Sequence, residues 1–379
     1  MIKRPTAPQT TPRVERIRTF DLMRGLFLII ILLNHLSYYP SGLDIITGRS
    51  MMYVSAAEGF FLISGIVLGL VRGRKLLDQP FKKSTKLILK RGLRLYIEAC
   101  LLTLLFTVIG WMFANNPGLK YGIASPDTPF LAIVWNTLTL SYSYGWADFL
   151  RYYAVFLTGA PIVLWLLRRG LWYVVVAISI LIWSLYPLTP GGENYIELSW
   201  QVIFYAGMII GFYWPELTNF WRAHFSRRTR IIISRLLFAS FITTAIANFI
   251  LVFGALFWNV EPLKSIHYDS IDFFEKDRMT WRRLLLGTVW FWGFFVFMRR
   301  HERLITQKLG KLLTPLGTNS LYVYTIESFV VFFAHLFIAP AQPLVQILPW
   351  YINLVISIAA IALVWLAVHK RFLFKIIPR

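Results

Sequence analysis

The first long apolar run of the chain contains three ionisable side chains whose spacing suggests a catalytic or binding role. They are Asp21, Arg24 and His35. At about 100° per residue, Arg24 and His35 differ by only about 20° around a helix, and Asp21 lies about 60° from Arg24. A rise of ~1.5 Å per residue separates Arg24 from His35 by about 16 Å. The spacing therefore predicts one polar face with an arginine near its cytoplasmic end and a histidine in its outer half. The structural alternative for Arg24 is an interfacial pair with Asp21. The alternative for His35 is a core histidine that is hydrogen-bonded to a backbone carbonyl.

A glutamate occupies the start of the second apolar run, at a depth similar to that of His35. A carboxylate that faces a histidine fixes its tautomer and raises its basicity. Glu58 and His35 are therefore predicted as a general-base pair for a hydroxyl group, and a structural contact between two helices is the alternative. Ser64, Gly65 and Gly69 follow Glu58 with the small-residue spacing of closely packed helices, and this structural interpretation comes first for them.

Two arginines mark the start of the third apolar run. Arg91 and Arg94 are three residues apart and share a helix face. Together with Arg24 they predict a phosphate site at the cytoplasmic mouth, with snorkelling arginines as the alternative. Further ionisable groups within apolar runs are Glu98, Glu327 and His335, and the pair Asp148 and Arg151, which we interpret as a structural salt bridge.

The elements that position these residues are predicted to be membrane helices. Of 379 residues, 57% are hydrophobic and 15% are charged, against roughly 45–50% and about 25% in soluble proteins. A membrane span needs about 20 mostly apolar residues. We therefore predict an all-α integral membrane protein of about ten transmembrane helices around a central polar cavity. The predicted spans are 20–39, 51–71, 92–114, 147–167, 171–188, 198–214, 231–257, 282–298, 316–339 and 345–369. Segment 129–144 is predicted to be re-entrant or interfacial.

The distribution of charge predicts the orientation of the chain. Most of the 39 Lys and Arg residues fall in alternate connecting segments when the N-terminus is placed in the cytoplasm. This predicts a cytoplasmic segment 1–19, one membrane domain over 20–369 and a cytoplasmic basic tail 370–379. No cleavage motif follows the first run, so it is predicted as a retained helix. The outer segment 258–281 is either a solvated loop or a lid over an outward-facing site.

Several other classes of function are not supported. The net charge of +21 is explained by cytoplasmic loops rather than by nucleic-acid binding. No CxxC, HExxH or P-loop is present, and the histidines lack metal-ligand spacing, so neither a metal nor a bound cofactor is predicted.

Five motifs, in this order and spacing, resemble a known family. They are "RIRTFDLMRGLFLIIILLNHL", "SAAEGFFLISGIVLGL", "KRGLRLYI", "LSWQVIFYAGMIIG" (198–211) and "LGTNSLYVYTIE" (316–327). Together they resemble the OpgC-like membrane acyltransferases of the acyltransferase family 3 group, over about 16 to 330. Each motif alone has low specificity, and the first hundred residues carry most of the resemblance.

The resemblance implies a ten-helix enzyme that moves an acyl group from cytoplasmic acyl-CoA to an extracytoplasmic glycan. It implies that His35 is essential and that Arg24, Arg91 and Arg94 hold the donor. The OpgC branch implies succinyl transfer to periplasmic glucans, so succinyl or acetyl is the expected group. Asp21, Ser64 and Glu327 complete the expected substrate-binding set, although many family members have a histidine where Glu327 aligns. The expected partners are acyl-CoA, a carbohydrate acceptor and the lipid bilayer.

Two questions stay open at the level of sequence. Transfer is either direct or proceeds through an acyl-histidine. The main functional alternative is a transporter or flippase of a lipid-linked sugar or acyl carrier, because buried charges occur there too. No internal repeat is evident in the sequence, which counts against that alternative. A membrane scaffold, the third possibility, has no need of an aligned Asp21–Arg24–His35 face.

Overall fold

A computed structural model of the chain describes residues 16–113, 116–119, 123–186, 196–340 and 347–377. In these ranges the backbone is helical, with turns between the helices and no strand. The all-α prediction is therefore confirmed for the described part of the chain. Most of the predicted N-terminal segment 1–19 lies outside it, as do residues 378–379 of the predicted tail.

The α-helices of the described ranges differ widely in length. In chain order they are α1 (Arg18–Leu36), α2 (Asp44–Thr47), α3 (Ala56–Leu68), α4 (Phe81–Met112), α5 (Phe130–Leu138), α6 (Asp148–Arg168), α7 (Trp172–Leu185), α8 (Glu197–Phe212), α9 (Trp214–His224), α10 (Arg227–Leu256), α11 (Glu261–Ile271), α12 (Trp281–Arg300), α13 (Glu302–Thr318), α14 (Ser320–Phe337) and α15 (Trp350–His369). A π-helical turn, Gly69–Arg74, extends α3.

Seven helices of the described chain are long and apolar enough to cross a membrane: α1, α3 with its extension to Arg74, α4, α6, α10, α14 and α15. The other three predicted spans coincide with α7, α8 and α12. Helices α7 and α8 have only 14 and 16 residues, and arginines at both ends of α12 lower its hydropathy. The described chain is thus all-helical with seven candidate membrane spans, and the number of ten spans stays a prediction.

Segment 129–144 does not form a helix of membrane length. It contains α5, which has nine residues. At ~1.5 Å per residue this helix is about 14 Å long, whereas the hydrocarbon core is about 30 Å thick. The short α5 is therefore consistent with the prediction that segment 129–144 is not a full membrane span.

One face of α4 is an exposed apolar stripe. Leu93, Ile97, Leu101 and Leu105 recur every four residues and are between 43% and 63% exposed. Residues four apart lie on the same helix face. A stripe of this kind is unfavourable in water and favourable against lipid chains, so it marks a lipid-facing side of α4.

The chain divides into two compact units, and each has its own helix packing. Unit 1 comprises Met1–Met23, Met52–Arg91 and Val155–Ile305, and unit 2 comprises Arg24–Met51, Gly92–Ala154 and Thr306–Arg379. Helices α1 and α4 contribute residues to both units. The single membrane domain expected over 20–369 stays a prediction.

Glycines bring α3 and α8 into close contact in unit 1. A Cβ atom on Gly65 would collide with the carbonyl of Phe204, and one on Gly211 with the carbonyl of Ile66. Gly69 approaches Met208 in the same way, and Ser64 is buried. The packing interpretation of the small residues in the second apolar run is therefore confirmed.

Candidate active site

In unit 2, His35 lies against α14. Its ring meets that of Tyr324 edge-to-face, with centroids 6.4 Å apart and an interplanar angle of 84°. His35 itself is half-buried. Tyr324 also stacks on Phe149 at 4.7 Å, and Glu327 lies three residues further along α14. The histidine of α1 therefore faces an aromatic residue that has a carboxyl group one turn away on the same helix.

The C-terminal ends of α1 and α14 are joined by hydrogen bonds. His335 Nε2 lies 3.0 Å from the carbonyl oxygen of Leu36, so this nitrogen donates to one of the terminal carbonyls of α1. The Tyr38 hydroxyl donates to the carbonyl of Ile338 at 2.6 Å, and its ring meets His335 edge-on. These contacts hold the residues next to His35, and they give His335 a structural role.

Glu327 is the most enclosed carboxylate of unit 2. The residue is only 2% exposed, and its Oε2 atom has no hydrogen-bond partner among the described residues. Burying a polar oxygen without a partner costs free energy unless a ligand or a proton satisfies it. Glu327 is therefore available to a hydroxyl-bearing ligand, in line with its place in the predicted substrate-binding set.

Glu98 of α4 is a second carboxylate beside α14. Its Oε1 atom accepts a hydrogen bond from Thr325 at 2.5 Å, and its Oε2 atom has no partner among the described residues. Thr325 and Glu327 are two residues apart and therefore leave α14 in different directions. Helix α14 thus carries polar contacts on more than one face.

Arg24 joins α1 to the junction of α13 and α14 in unit 2. Its Nη2 atom donates to the carbonyl of Gly317 at 2.5 Å and to the Ser320 hydroxyl at 3.0 Å. Gly317 lies in the last turn of α13, where unpaired carbonyls and the helix dipole favour a cation. The next residue, Gly25, approaches the backbone of Leu313 so closely that a Cβ atom would collide with it. Arg24 therefore has a structural partner, and its contact with a donor phosphate stays a prediction.

In unit 1, Glu58 forms a buried ion pair. Its Oε1 atom accepts from Arg283 Nε at 2.9 Å and Nη2 at 2.5 Å, and the two side chains are 6% and 4% exposed. The same oxygen accepts from the backbone N–H of Ser55 at 3.1 Å, which closes a capping box at the start of α3. Arg283 thus neutralises the charge of Glu58. His35 belongs to the other unit, so its pairing with Glu58 stays a prediction.

The sequence analysis missed Arg283, although a signal was present. Arg283 lies at the start of α12, on the predicted outer side, where the positive-inside rule disfavours arginine. A cation placed against that rule within an apolar element requires a counter-charge.

Asp21 has an ion-pair partner in unit 1. Arg16 donates to its two carboxylate oxygens, with distances of 2.6 Å from Nε and 3.2 Å from Nη2. Arg16 precedes α1, so the pair fixes the entry of the chain into that helix. The structure thus gives Asp21 a local role, and its part in substrate binding stays a prediction.

Arg91 and Arg94, in the first half of α4, have different surroundings. Arg91 belongs to unit 1, is half-buried and acts electrostatically on Arg72. Like charges that act on each other favour an anion beside them. Arg94 belongs to unit 2 and is exposed. The three-arginine site predicted from Arg24, Arg91 and Arg94 therefore stays a prediction.

Segment 258–281, predicted to lie on the outer side, contains α11, which is anchored within unit 1. The Tyr53 hydroxyl lies 2.9 Å from His267 Nδ1 and 2.8 Å from Ser270 Oγ, and its ring stacks on Phe274 at 4.6 Å. Burial lowers the pKa of His267. The segment is therefore a docked helix rather than a fully solvated loop, and its role as a lid stays a prediction.

A family model described as "OpgC protein" matches residues 16–376, nearly the whole chain. No curated protein and no solved structure matches the sequence.

Proposed function

Because the chain belongs to the OpgC family, we propose that it is a membrane O-acyltransferase. It moves a succinyl or acetyl group from cytoplasmic acyl-CoA to a hydroxyl group of an extracytoplasmic glycan, such as a periplasmic glucan. Family membership indicates an acyltransferase-type membrane protein that modifies glucans. The acyl group, the CoA carrier, the acceptor and the bacterial inner membrane belong to the proposal.

The environment of His35 is the observation that carries this proposal. The residue is half-buried within a unit of apolar helices, and its ring lies against Tyr324. Glu327, one turn further along α14, presents a carboxylate oxygen that lacks a partner among the described residues. Ionisable groups at such positions usually serve function because their burial is costly.

The proposed reaction is a general-base acyl transfer. Neutral His35 accepts the proton of the acceptor hydroxyl while the hydroxyl oxygen attacks the thioester carbonyl carbon. The new ester C–O bond forms, the C–S bond breaks, and the proton passes from His35 to the departing CoA thiolate. An acyl-histidine intermediate would balance in the same way over two steps.

The dimensions of α1 support a reaction that draws its donor from the cytoplasm. Arg24 holds the α13–α14 junction, and the helical rise places it about 16 Å from His35 along the axis. An extended pantetheine arm is comparable in length with this rise. Glu327 would orient the acceptor by accepting a hydrogen bond from a second sugar hydroxyl.

Acyl transfer by purified protein tests the proposal. Labelled succinyl-CoA and acetyl-CoA are incubated with a glucan and the native protein, His35→Ala or His224→Ala, which removes an exposed histidine of α9. Loss of the general base should lower the rate by about 10²–10⁴-fold in His35→Ala and leave His224→Ala unchanged. Native activity in His35→Ala, or no transfer by the native protein from either donor, would contradict the proposal.

A further inference from the structure

An open groove lies in unit 2 between the second half of α13 and the end of α15. Its volume is about 730 Å³, within the range of about 300–1,000 Å³ typical of small-molecule sites. Its polar lining includes Lys311, Thr314, Thr318, Asn319, His369 and Arg371. None of the described residues that line it is acidic. The groove therefore offers two fixed positive charges and several hydroxyl or amide donors without a competing carboxylate.

Specific contacts hold both walls of the groove. Trp365 of α15 donates to the carbonyl of Lys311 on α13 at 3.0 Å. The fully buried Tyr322 of α14 donates to the carbonyl of Phe372 at 2.6 Å and packs edge-on against Phe374. The turn after α15 is thereby docked, although Arg371 adopts a positive φ of 54°. The backbone position of Arg371 is thus set by packing of the neighbouring residues.

The floor of the groove adjoins Arg24. Thr318 and Asn319 line it and lie between Gly317 and Ser320, the two residues that accept hydrogen bonds from Arg24. Arg24 thus positions the α13–α14 junction, whereas Lys311 and Arg371 supply exposed charge. Both α13 and the tail 370–379 are predicted to lie on the cytoplasmic side.

We propose that this groove binds phosphate groups through Lys311 and Arg371. Lysine and arginine with nearby hydroxyl donors are the side chains that recognise phosphate oxygens. We assign the phosphorylated nucleotide end of acyl-CoA as the ligand, and this assignment rests on the proposed function. The helical rise from Arg24 to His35 is about 16 Å, which suits a thioester carried from the groove on a pantetheine arm. An anionic lipid headgroup carries the same chemistry, and the experiment separates these two sources.

The first arm measures direct binding of CoA to the protein in nanodiscs of neutral lipid. The native protein is compared with Lys311→Gln, Arg371→Gln and the double variant. Lys375→Gln is the matched control, since Lys375 is exposed in the same turn and does not line the groove. Loss of one charged phosphate contact should weaken CoA binding about tenfold, and the control should bind as the native protein does. Variants that bind CoA as tightly as the native protein would overturn the nucleotide assignment.

The second arm measures retention of phosphatidylglycerol by native mass spectrometry. Unchanged CoA binding combined with loss of the lipid from the double variant alone would identify a headgroup as the phosphate source. No change in either ligand would overturn the phosphate site itself.

The third arm measures acyl transfer, and it can fail independently of the two binding arms. The groove variants should raise KM for the acyl-CoA about tenfold at unchanged kcat. They should leave KM for the phosphate-free acyl-pantetheine unchanged. Equal increases for both donors would contradict phosphate recognition. A native protein that binds CoA through the groove and transfers nothing would contradict the proposed function while supporting the groove.

Discussion

At the scale of residues, the structure assigns partners that spacing along the chain does not predict. Glu58 and Arg283 are 225 positions apart in sequence, and helical periodicity predicts only which side chains share a face. The sequence therefore predicted a pair of Glu58 with His35 and did not predict the contact of Glu58 with Arg283. Helical periodicity likewise could not predict the contact of His35 with Tyr324, because one aromatic residue in an apolar run does not differ in pattern from its neighbours.

The Glu58–Arg283 pair leads to a stability prediction. Arg283→Met should destabilise the protein by about 3–5 kcal/mol because it leaves the Glu58 charge buried without its cation. Glu58→Leu combined with Arg283→Met should recover most of this loss. Thermal unfolding in detergent measures both effects, and Arg282→Met is the matched control at the neighbouring, less buried position. Equal destabilisation by the single and double variants would contradict this account of the pair.

The same double variant separates the two interpretations of Glu58. If Glu58 acts only on Arg283, the recovered protein should transfer acyl groups at nearly the native rate. A stable double variant without transfer activity would instead support the predicted orientation of His35 by Glu58.

At the scale of elements, hydropathy predicted most helices well because a membrane helix needs a long apolar run. Each predicted span coincides with a helix, and the short α5 was separated from them correctly. The boundaries of α4 differ from the prediction: it begins at Phe81 rather than at residue 92. Its first turns are basic and extend beyond the apolar stripe, so hydropathy alone could not include them.

The close approach of α3 and α8 gives an element-scale prediction. Gly65→Val should destabilise the protein by about 1–3 kcal/mol or more, because the added side chain would collide with the backbone at Phe204. Gly145→Ala, at a position with no atom within 4 Å of the added Cβ, should change stability little. Thermal unfolding compares the two, and similar melting temperatures for both variants would contradict the packing account.

The docking of α11 should depend on pH. Burial lowers the pKa of His267, so the docked helix favours the neutral ring. Docking is therefore fully stable above the ordinary histidine value of about 6.5 and weakens as the pH falls below it. Hydrogen exchange of the α11 amides, corrected for the intrinsic rate, should accelerate between pH 7.5 and pH 5 in the native protein. His267→Gln should abolish this dependence, and an unchanged pH response in that variant would refute the role of His267.

At the scale of the whole molecule, ordered motifs predicted the family, and the match over residues 16–376 confirms it. The division into two units could not be predicted, because it depends on contacts between distant parts of the chain. The same limit applies to the groove beside α13, whose walls come from α13 and from the end of α15 with the turn after it. The sequence showed the basic residues of that region only as cytoplasmic anchors.

The topology of ten spans with cytoplasmic termini can be tested with single cysteines. Cys100→Ala removes the one cysteine of the chain, and Asp269→Cys or Lys375→Cys then introduces an exposed thiol. A membrane-impermeant maleimide should label position 269 in spheroplasts, and position 375 only after the membrane is permeabilised. Labelling of both positions from one side would contradict the predicted orientation.

The central claim is that His35 supports acyl transfer from one side of the membrane to the other. The most direct measurement uses sealed proteoliposomes that enclose a glucan, with labelled acyl-CoA added to the outside and the protein oriented with its predicted cytoplasmic side outward. We predict labelled glucan inside vesicles with native protein, and at least about a hundredfold less in those with His35→Ala. Equal labelling by His35→Ala, or labelling by the native protein only when donor and glucan share one compartment, would contradict the account.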